Sequence, residues 1–150
     1  MNREGTSFTL IDDSFNANPD SMKAGLNGLK AWNSNDGKEP FRVALLGAML
    51  ELGADETALH TSIGTYADEL GIDAIIAVGS AQDQHLDALA QALADGARQS
   101  QSASVDCVHD IDAAEQLVID LARNHPDAVV LLKGSHASGL SALAERWAKN

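Results

Sequence analysis

Two short stretches of the chain concentrate residues that can do chemistry. Residues 10–26 read L-I-D-D-S-F-N-A-N-P-D-S-M-K-A-G-L, an apolar run that ends in Asp12 and Asp13 and continues into two asparagines around an alanine. A turn needs one or two such residues, so polar density of this kind marks a site. Asp12 and Asp13 admit two readings. Either one caps a turn while the other is solvated, or a strand-end carboxylate accepts ribose hydroxyls or holds a metal. The second stretch, A-V-V-L-L-K-G-S-H at 128–136, ends an apolar run on Lys133. A lysine there can simply snorkel from a strand end. With Gly134 and Ser135 beside it at a helix start, however, it offers an ammonium and backbone N–H groups to an anion. Lys23, Lys30, Arg98, Arg123, Arg146 and Lys149 fall on helices or their ends, and Arg42 opens a strand. Lys133 is the cation placed where a ligand belongs, and the clamp for a carboxylate or phosphate is the favoured reading.

The elements that must position these residues follow from periodicity. Five times a short apolar run precedes a segment of helical period. The predicted strands are 7–13, 41–46, 73–79, a weaker one at 105–109, and 128–134. Asn18 caps the first helix with Pro19 at its first position, and Met22, Leu26 and Leu29 are its buried stripe. The later helices bury Leu59, Ile63, Tyr66, Ala67 and Leu70, then Leu86, Leu89, Ala90 and Leu93. The next, started by Asp110 or Asp112, buries Ala114, Leu117, Val118 and Leu121, and the last covers 138–147. Residues 33–40 and 96–104 read as loops. Continuous apolar strands joined by helices predict an α/β fold, a three-layer Rossmann-like domain with a mainly parallel sheet of five βα units. Residues 2–6 leave room for one extra edge strand. Ligands of such sheets bind beyond the carboxyl ends of the strands, where both stretches lie.

Composition narrows the function. At 150 residues the chain is one domain, able to bury a core without staples. Aromatics are 4%, so that core is built from Ala, Leu, Ile and Val. A formal charge of −12 repels nucleic acid and anionic membrane alike. Cys107 is single, in the apolar-leaning S-V-D-C-V, and reads as a structural thiol. No apolar run approaches a membrane span and no h-region opens the chain, which predicts a cytoplasmic protein. Neither G-x-x-x-x-G-K-[ST] nor G-x-G-x-x-G is present. His60, His85, His109, His125 and His136 lack metal-ligand spacing, and most read as surface residues. The aspartate pair and the late lysine also fit a response-regulator receiver. A receiver needs an aspartate ending its third strand, and the slots here hold G-A-M or G-S-A.

Three stretches together, D-D-S-F-N-A-N-P-D-S-M (12–22), G-A-M-L-E-L-G with His60 beyond it, and L-L-K-G-S-H (131–136), resemble the C-terminal domain of the Mur ligases, most closely the MurF type. The resemblance runs in order along nearly all of residues 1–150. It implies a Rossmann-like domain that swings over a central ATPase domain, in an enzyme adding D-Ala-D-Ala to UDP-MurNAc-tripeptide through an acyl phosphate. ATP and Mg2+ would be held mainly by the central domain. The resemblance assigns Asp13, Asn16 and Asn18 to the ATP side and Lys133, Ser135 and His136 to the dipeptide, with no metal ligand and no complete catalytic set in this domain. The domain by itself is expected to be inactive. The rivals are another Mur-ligase-like enzyme's C-terminal domain and a non-catalytic α/β ligand-binding module. Two positions depart from the family pattern. Ala48 stands where an acid is usual, and His136 where an arginine is usual. A mostly neutral imidazole cannot make the bidentate pair of a guanidinium.

Overall fold

The computed structural model describes residues 2–3, 6–14, 17–33, 38–50, 52–135 and 138–148. Five parallel strands form the main sheet: β3 (Thr9–Asp13), β4 (Arg42–Gly47), β5 (Ala74–Val78), β6 (Ser104–Val108) and β7 (Val129–Lys133), in the order β3-β7-β4-β5-β6. Ahead of it, β1 (Asn2–Arg3) and β2 (Thr6–Ser7) pair antiparallel with each other. Asn2–Arg3 and Thr6–Ser7 thus make a separate ribbon and do not add a sixth strand, and the first main strand begins at Thr9 instead of residue 7.

The helices are α1 (Pro19–Ala31), α2 (Glu56–Glu69), α3 (Gln84–Ala97), α4 (Ile111–Asn124) and α5 (Leu140–Ala148). Right-handed crossovers sort them. Steps from β3 to β4, β4 to β5 and β5 to β6 run one way across the sheet, so α1, α2 and α3 share a face. There Met22, Leu26, Ile63 and Leu93 pack on Ala44, Leu46, Ile75 and Leu131. The return from β6 to β7 runs the other way and puts α4 on the opposite face, with α5. Val118, Leu140 and Trp147 there cover Val43, Leu45, Ile76 and Leu132. Strands β4, β5 and β7 are buried along their whole length, which is why they read as unbroken apolar runs.

Asn18 caps α1 as expected. Its Oδ1 accepts from the Ser21 N–H at 2.9 Å, Ser21 Oγ accepts from the Asn18 N–H at 3.0 Å, and Pro19 opens the helix. Asp110, the first of the two predicted starters, caps α4 by accepting from the Ala113 N–H at 2.7 Å. The other end of α1 depends on Arg42, which is only 3% exposed. Its Nε donates to the Leu29 carbonyl at 2.9 Å and its Nη2 to the Trp32 carbonyl at 2.8 Å. Periodicity showed Arg42 only as a strand opener. In the structure it is a buried cation closing a helix C-terminus.

Candidate functional site

The topology creates the site. β7 lies between β3 and β4, yet the chain leaves β3 and β4 toward α1 and α2 on one face and leaves β7 toward α5 on the other. Connections that part to opposite faces open a crevice at the carboxyl end of β7. Among the described residues its walls begin at Ser14, Ala48 and Gly134, which follow Asp13, Gly47 and Lys133.

The structure separates the two aspartates. Asp12 Oδ1 accepts from the Ser14 Oγ–H at 2.6 Å and from the Ser14 N–H at 3.2 Å, the turn-forming role. Asp13 pairs across the sheet with Lys133, the residue opposite it in the β3–β7 register. Lys133 Nζ lies 2.6 Å from Asp13 Oδ2, with the lysine side chain 4% exposed and the aspartate 49%. Lys133 lies on the α1 side of β7 together with Val129 and Leu131. Gly25 of α1 passes above it. A Cβ at Gly25 would sit 3.5 Å from Lys133 Cδ and 3.7 Å from Asp13 Oδ2. The lysine stem is therefore held in packing and its ammonium ends on a carboxylate.

Gly134 and Ser135 carry the chain across the end of β4. A Cβ at Gly134 would come within 3.0 Å of Gly47 Cα and 2.9 Å of Ser138 Oγ, so a larger residue here would push on Gly47 or turn the Ser138 side chain. The Ser135 N–H donates to the Ala48 carbonyl at 3.1 Å, and Ser138 Oγ–H donates to the Ser135 carbonyl at 2.6 Å. Ser135 Oγ is buried and has no hydrogen-bond partner among the described residues. Such a hydroxyl carries a desolvation cost of about 1–3 kcal/mol until something meets it. Ala48, the first departure from the family pattern, is 1% exposed and packs with Leu86 and Leu89 of α3. At this position the chain has an apolar contact to a helix. Asn16 and His136, the second departure, lie outside the described residues. Asn18 Oδ1 is spent on its cap, and its amide nitrogen has no partner among the described residues.

His85 and His109 are exposed, in line with most histidines being surface residues, and His60 is the exception among the described ones, fully buried. Its Nδ1 is 2.6 Å from the Glu56 carbonyl, which can only accept, so Nδ1 carries the proton. Bare Nε2 accepts from the Met49 N–H at 2.9 Å and fixes the loop after β4 against α2. The spacing 60, 63, 67 puts His60 on the buried α2 stripe of Ile63 and Ala67, a signal present in the sequence. Burial lowers its pKa from the ordinary 6.5, outweighing the Glu56 carbonyl and carboxylate that raise it, while His85 lowers it further. The unfolded chain thus binds a proton that the folded chain resists. Stability is complete above the ordinary value and falls as pH drops from 6.5 through the lowered folded value. Urea unfolding should show wild type losing stability between about pH 7 and about pH 5.5, with His60→Gln flatter there, since glutamine accepts but does not titrate. Equal slopes would mean His60 stays unlinked to folding.

Cys107 is half-buried. Burial, then the Asp87 carboxylate, raises its thiol pKa, the reverse of an activated nucleophile. No group of three or more His, Cys, Asp or Glu among the described residues could hold a metal ion. Two cavities of about 310 Å³ lie away from the crevice. One, at the amino edge, includes Arg42, His125 and Asp73. Those groups already close α1, stack on Phe41 and accept from the Arg42 N–H, respectively. The crevice at β7 holds the sheltered Lys133 ammonium and the Ser135 hydroxyl.

Comparison with known proteins agrees with this geometry. The profile of the family described as Mur ligase, glutamate ligase domain, matches residues 1–136. The chain is 38% identical over 146 residues to UDP-N-acetylmuramoyl-tripeptide--D-alanyl-D-alanine ligase of Mycobacterium leprae (strain TN), covering 91% of this chain and 27% of that protein. It is 38% identical over 147 residues to the enzyme of the same name from Mycobacterium tuberculosis (strain CDC 1551 / Oshkosh), covering 94% and 29%. A crystal structure of MurF from Acinetobacter baumannii superposes with a TM-score of 0.74 at 25% identity, over 95% of this chain and 28% of that one. The chain thus spans between a quarter and a third of each of these proteins. With its strand order, its paired strand-end residues and a family match over most of its length, the chain belongs to the Mur ligases through their glutamate ligase domain.

Proposed function

We propose that the chain is the substrate-positioning domain of an ATP-dependent amide ligase of peptidoglycan precursor synthesis, joining D-Ala-D-Ala to UDP-MurNAc-tripeptide. The observation that carries this reading is the β7 crevice, where a sheltered ammonium and a hydroxyl with no partner among the described residues lie two positions apart, beside the strand end that leads into the asparagine-rich stretch of the sequence. In this reaction a carboxyl group activated as an acyl phosphate is attacked by the dipeptide amine, and phosphate leaves. The amine must be held close and unprotonated, so its distant carboxylate is the natural handle. Lys133 and Ser135 suit that handle, and His136 follows them in sequence. Asn16 and the amide nitrogen of Asn18 suit a nucleotide across a domain cleft.

The same residues explain why this domain does not act alone in the proposal. Transferring a phosphoryl group demands concentrated positive charge around the phosphates. Lys133 is already neutralised by Asp13, in a chain of charge −12. A central ATPase domain would supply the phosphate site and Mg2+, and the assembled enzyme would work in the cytoplasm. No helix among the described residues is long and apolar enough to cross a membrane.

Lys133→Ala in the full-length enzyme tests this reading. Losing a charge-assisted contact to a carboxylate costs about 1.5–3 kcal/mol. The KM for D-Ala-D-Ala should therefore rise roughly ten- to a hundredfold, with the KM for ATP nearly unchanged. An unaltered dipeptide KM would reduce Lys133 to a structural partner of Asp13.

A further inference from the structure

We infer that His60 is a positioning residue for Ser135: it fixes the peptide plane on which the end of β7 rests, and so aims the Ser135 hydroxyl at the carboxylate of the incoming dipeptide. The inference rests on the reading of Ser135 as part of the dipeptide anchor. Its basis is one chain of hydrogen bonds. His60 Nε2 accepts from the Met49 N–H at 2.9 Å, and the Ser135 N–H donates to the Ala48 carbonyl at 3.1 Å. The Met49 N–H and the Ala48 carbonyl belong to the same peptide unit, which is planar and turns as one body. Helix α2 therefore reaches the end of β7 through a single rigid group. His60, Met49 and Ala48 are each 1% exposed or less, so water does not replace a lost partner there.

The imidazole suits this task. Its Nδ1–H donates to the Glu56 carbonyl at 2.6 Å, one turn back on α2, which sets the tautomer and leaves Nε2 as an acceptor. Burial lowers the pKa of the ring and keeps that acceptor bare near neutral pH. An N–H bonded to a basic nitrogen polarises its own peptide, which strengthens the carbonyl on the far side as an acceptor for Ser135. Ser135 is held from its other side as well, because the Ser138 Oγ–H donates to its carbonyl at 2.6 Å. With both main-chain groups fixed, the side-chain hydroxyl is the group of Ser135 left without a partner among the described residues. Without His60 the Ala48–Met49 plane can rotate, and Ser135 loses its floor. His60 touches no substrate and acts only through that peptide.

Steady-state kinetics of the full-length enzyme with His60→Leu, His60→Gln, Ser135→Ala and the His60→Leu/Ser135→Ala double variant tests the assignment. His60→Leu fills the space without an acceptor. It should raise the D-Ala-D-Ala KM about tenfold and leave the ATP KM within about twofold. His60→Gln places an amide oxygen near the Nε2 position and should recover most of that loss. In the Ser135→Ala background His60→Leu should add nothing, because both act through one contact. A dipeptide KM unmoved by His60→Leu, a parallel rise in both KM values, or the full loss added on top of Ser135→Ala overturns the inference and leaves the anchor reading standing. If Ser135→Ala itself leaves the dipeptide KM unmoved, Ser135 is no part of the anchor and the inference falls with that reading. Should His60→Leu not fold, His60→Asn, whose amide reaches the Nδ1 position but not Met49, takes its place under the same outcomes. Amide hydrogen exchange of the 150-residue chain gives a readout independent of turnover. Protection of the Ser135 N–H should drop about tenfold in His60→Leu and stay near wild type in His60→Gln, while the amides of α4 keep theirs. Equal protection of Ser135 in all three proteins would overturn the relay.

Discussion

Trp147→Ala should cost about 3–5 kcal/mol of unfolding free energy, a large share of the roughly 5–15 kcal/mol that holds a domain together. Trp147 is fully buried on α5. Its ring meets Phe8 edge-on at 5.0 Å between centroids and 74° between planes, tying the last helix to the residue just before β3. Its Nε1–H also donates to Glu115 Oε2 at 2.6 Å, and the other oxygen of Glu115 accepts from Arg146 at 3.0 Å. Alanine would remove the apolar burial and take one donor from a carboxylate only 8% exposed. Urea denaturation of the purified chain measures the loss. A change below about 1 kcal/mol would mean that α5 contributes little to the cooperative core.

Glycine to alanine at three helical positions should change sign with position. At Gly28, where a Cβ meets nothing within 4 Å, alanine should stabilise α1 by about 0.5–1 kcal/mol. At Gly96 of α3 the added Cβ would overlap the backbone carbonyl of Thr61 in α2, and at Gly64 of α2 it would overlap the Leu93 carbonyl of α3. These two glycines face each other's helices and let the backbones approach. Backbone cannot rotate away as a flexible side chain can, so the helices must separate. The expected net loss is about 2–3 kcal/mol for Gly96→Ala even after its gain in helix propensity. Thermal melts of the three variants give the comparison, and a stabilised Gly96→Ala would refute the close approach.

Much of the architecture was legible in residue order, for a local physical reason. A short, β-branched apolar run such as 128–132 between turn residues favours a strand buried on both faces, and Asn18 with Pro19 ahead of a helix-period stripe marks a helix start. Alternation of strand and helix then implies a parallel sheet, and the carboxyl edge follows from the direction of the chain. That placed the D-D-S-F-N-A-N and K-G-S-H stretches on one edge before any coordinates. The G-A-M-L-E-L-G stretch was legible only in part. His60 carried the spacing of a buried stripe, but a histidine's polarity concealed it.

Other features were decided by tertiary structure, because they depend on which strands become neighbours. Asp13 and Lys133 are 120 residues apart, and nothing local says that β7 inserts beside β3 instead of adding to an edge. That insertion turns two separately assigned residues into one ion pair. It also leaves Asp12 to the turn, a division that two adjacent identical side chains cannot announce. Arg42 likewise reads as a strand opener until the end of α1 is laid against it and its guanidinium finds the Leu29 and Trp32 carbonyls. Ser135 becomes an orphan only once the crossing over β4 buries it. Periodicity reports which face of an element is buried. The partner of a buried charge is set by packing between elements distant in sequence, and that decided the chemistry of this edge.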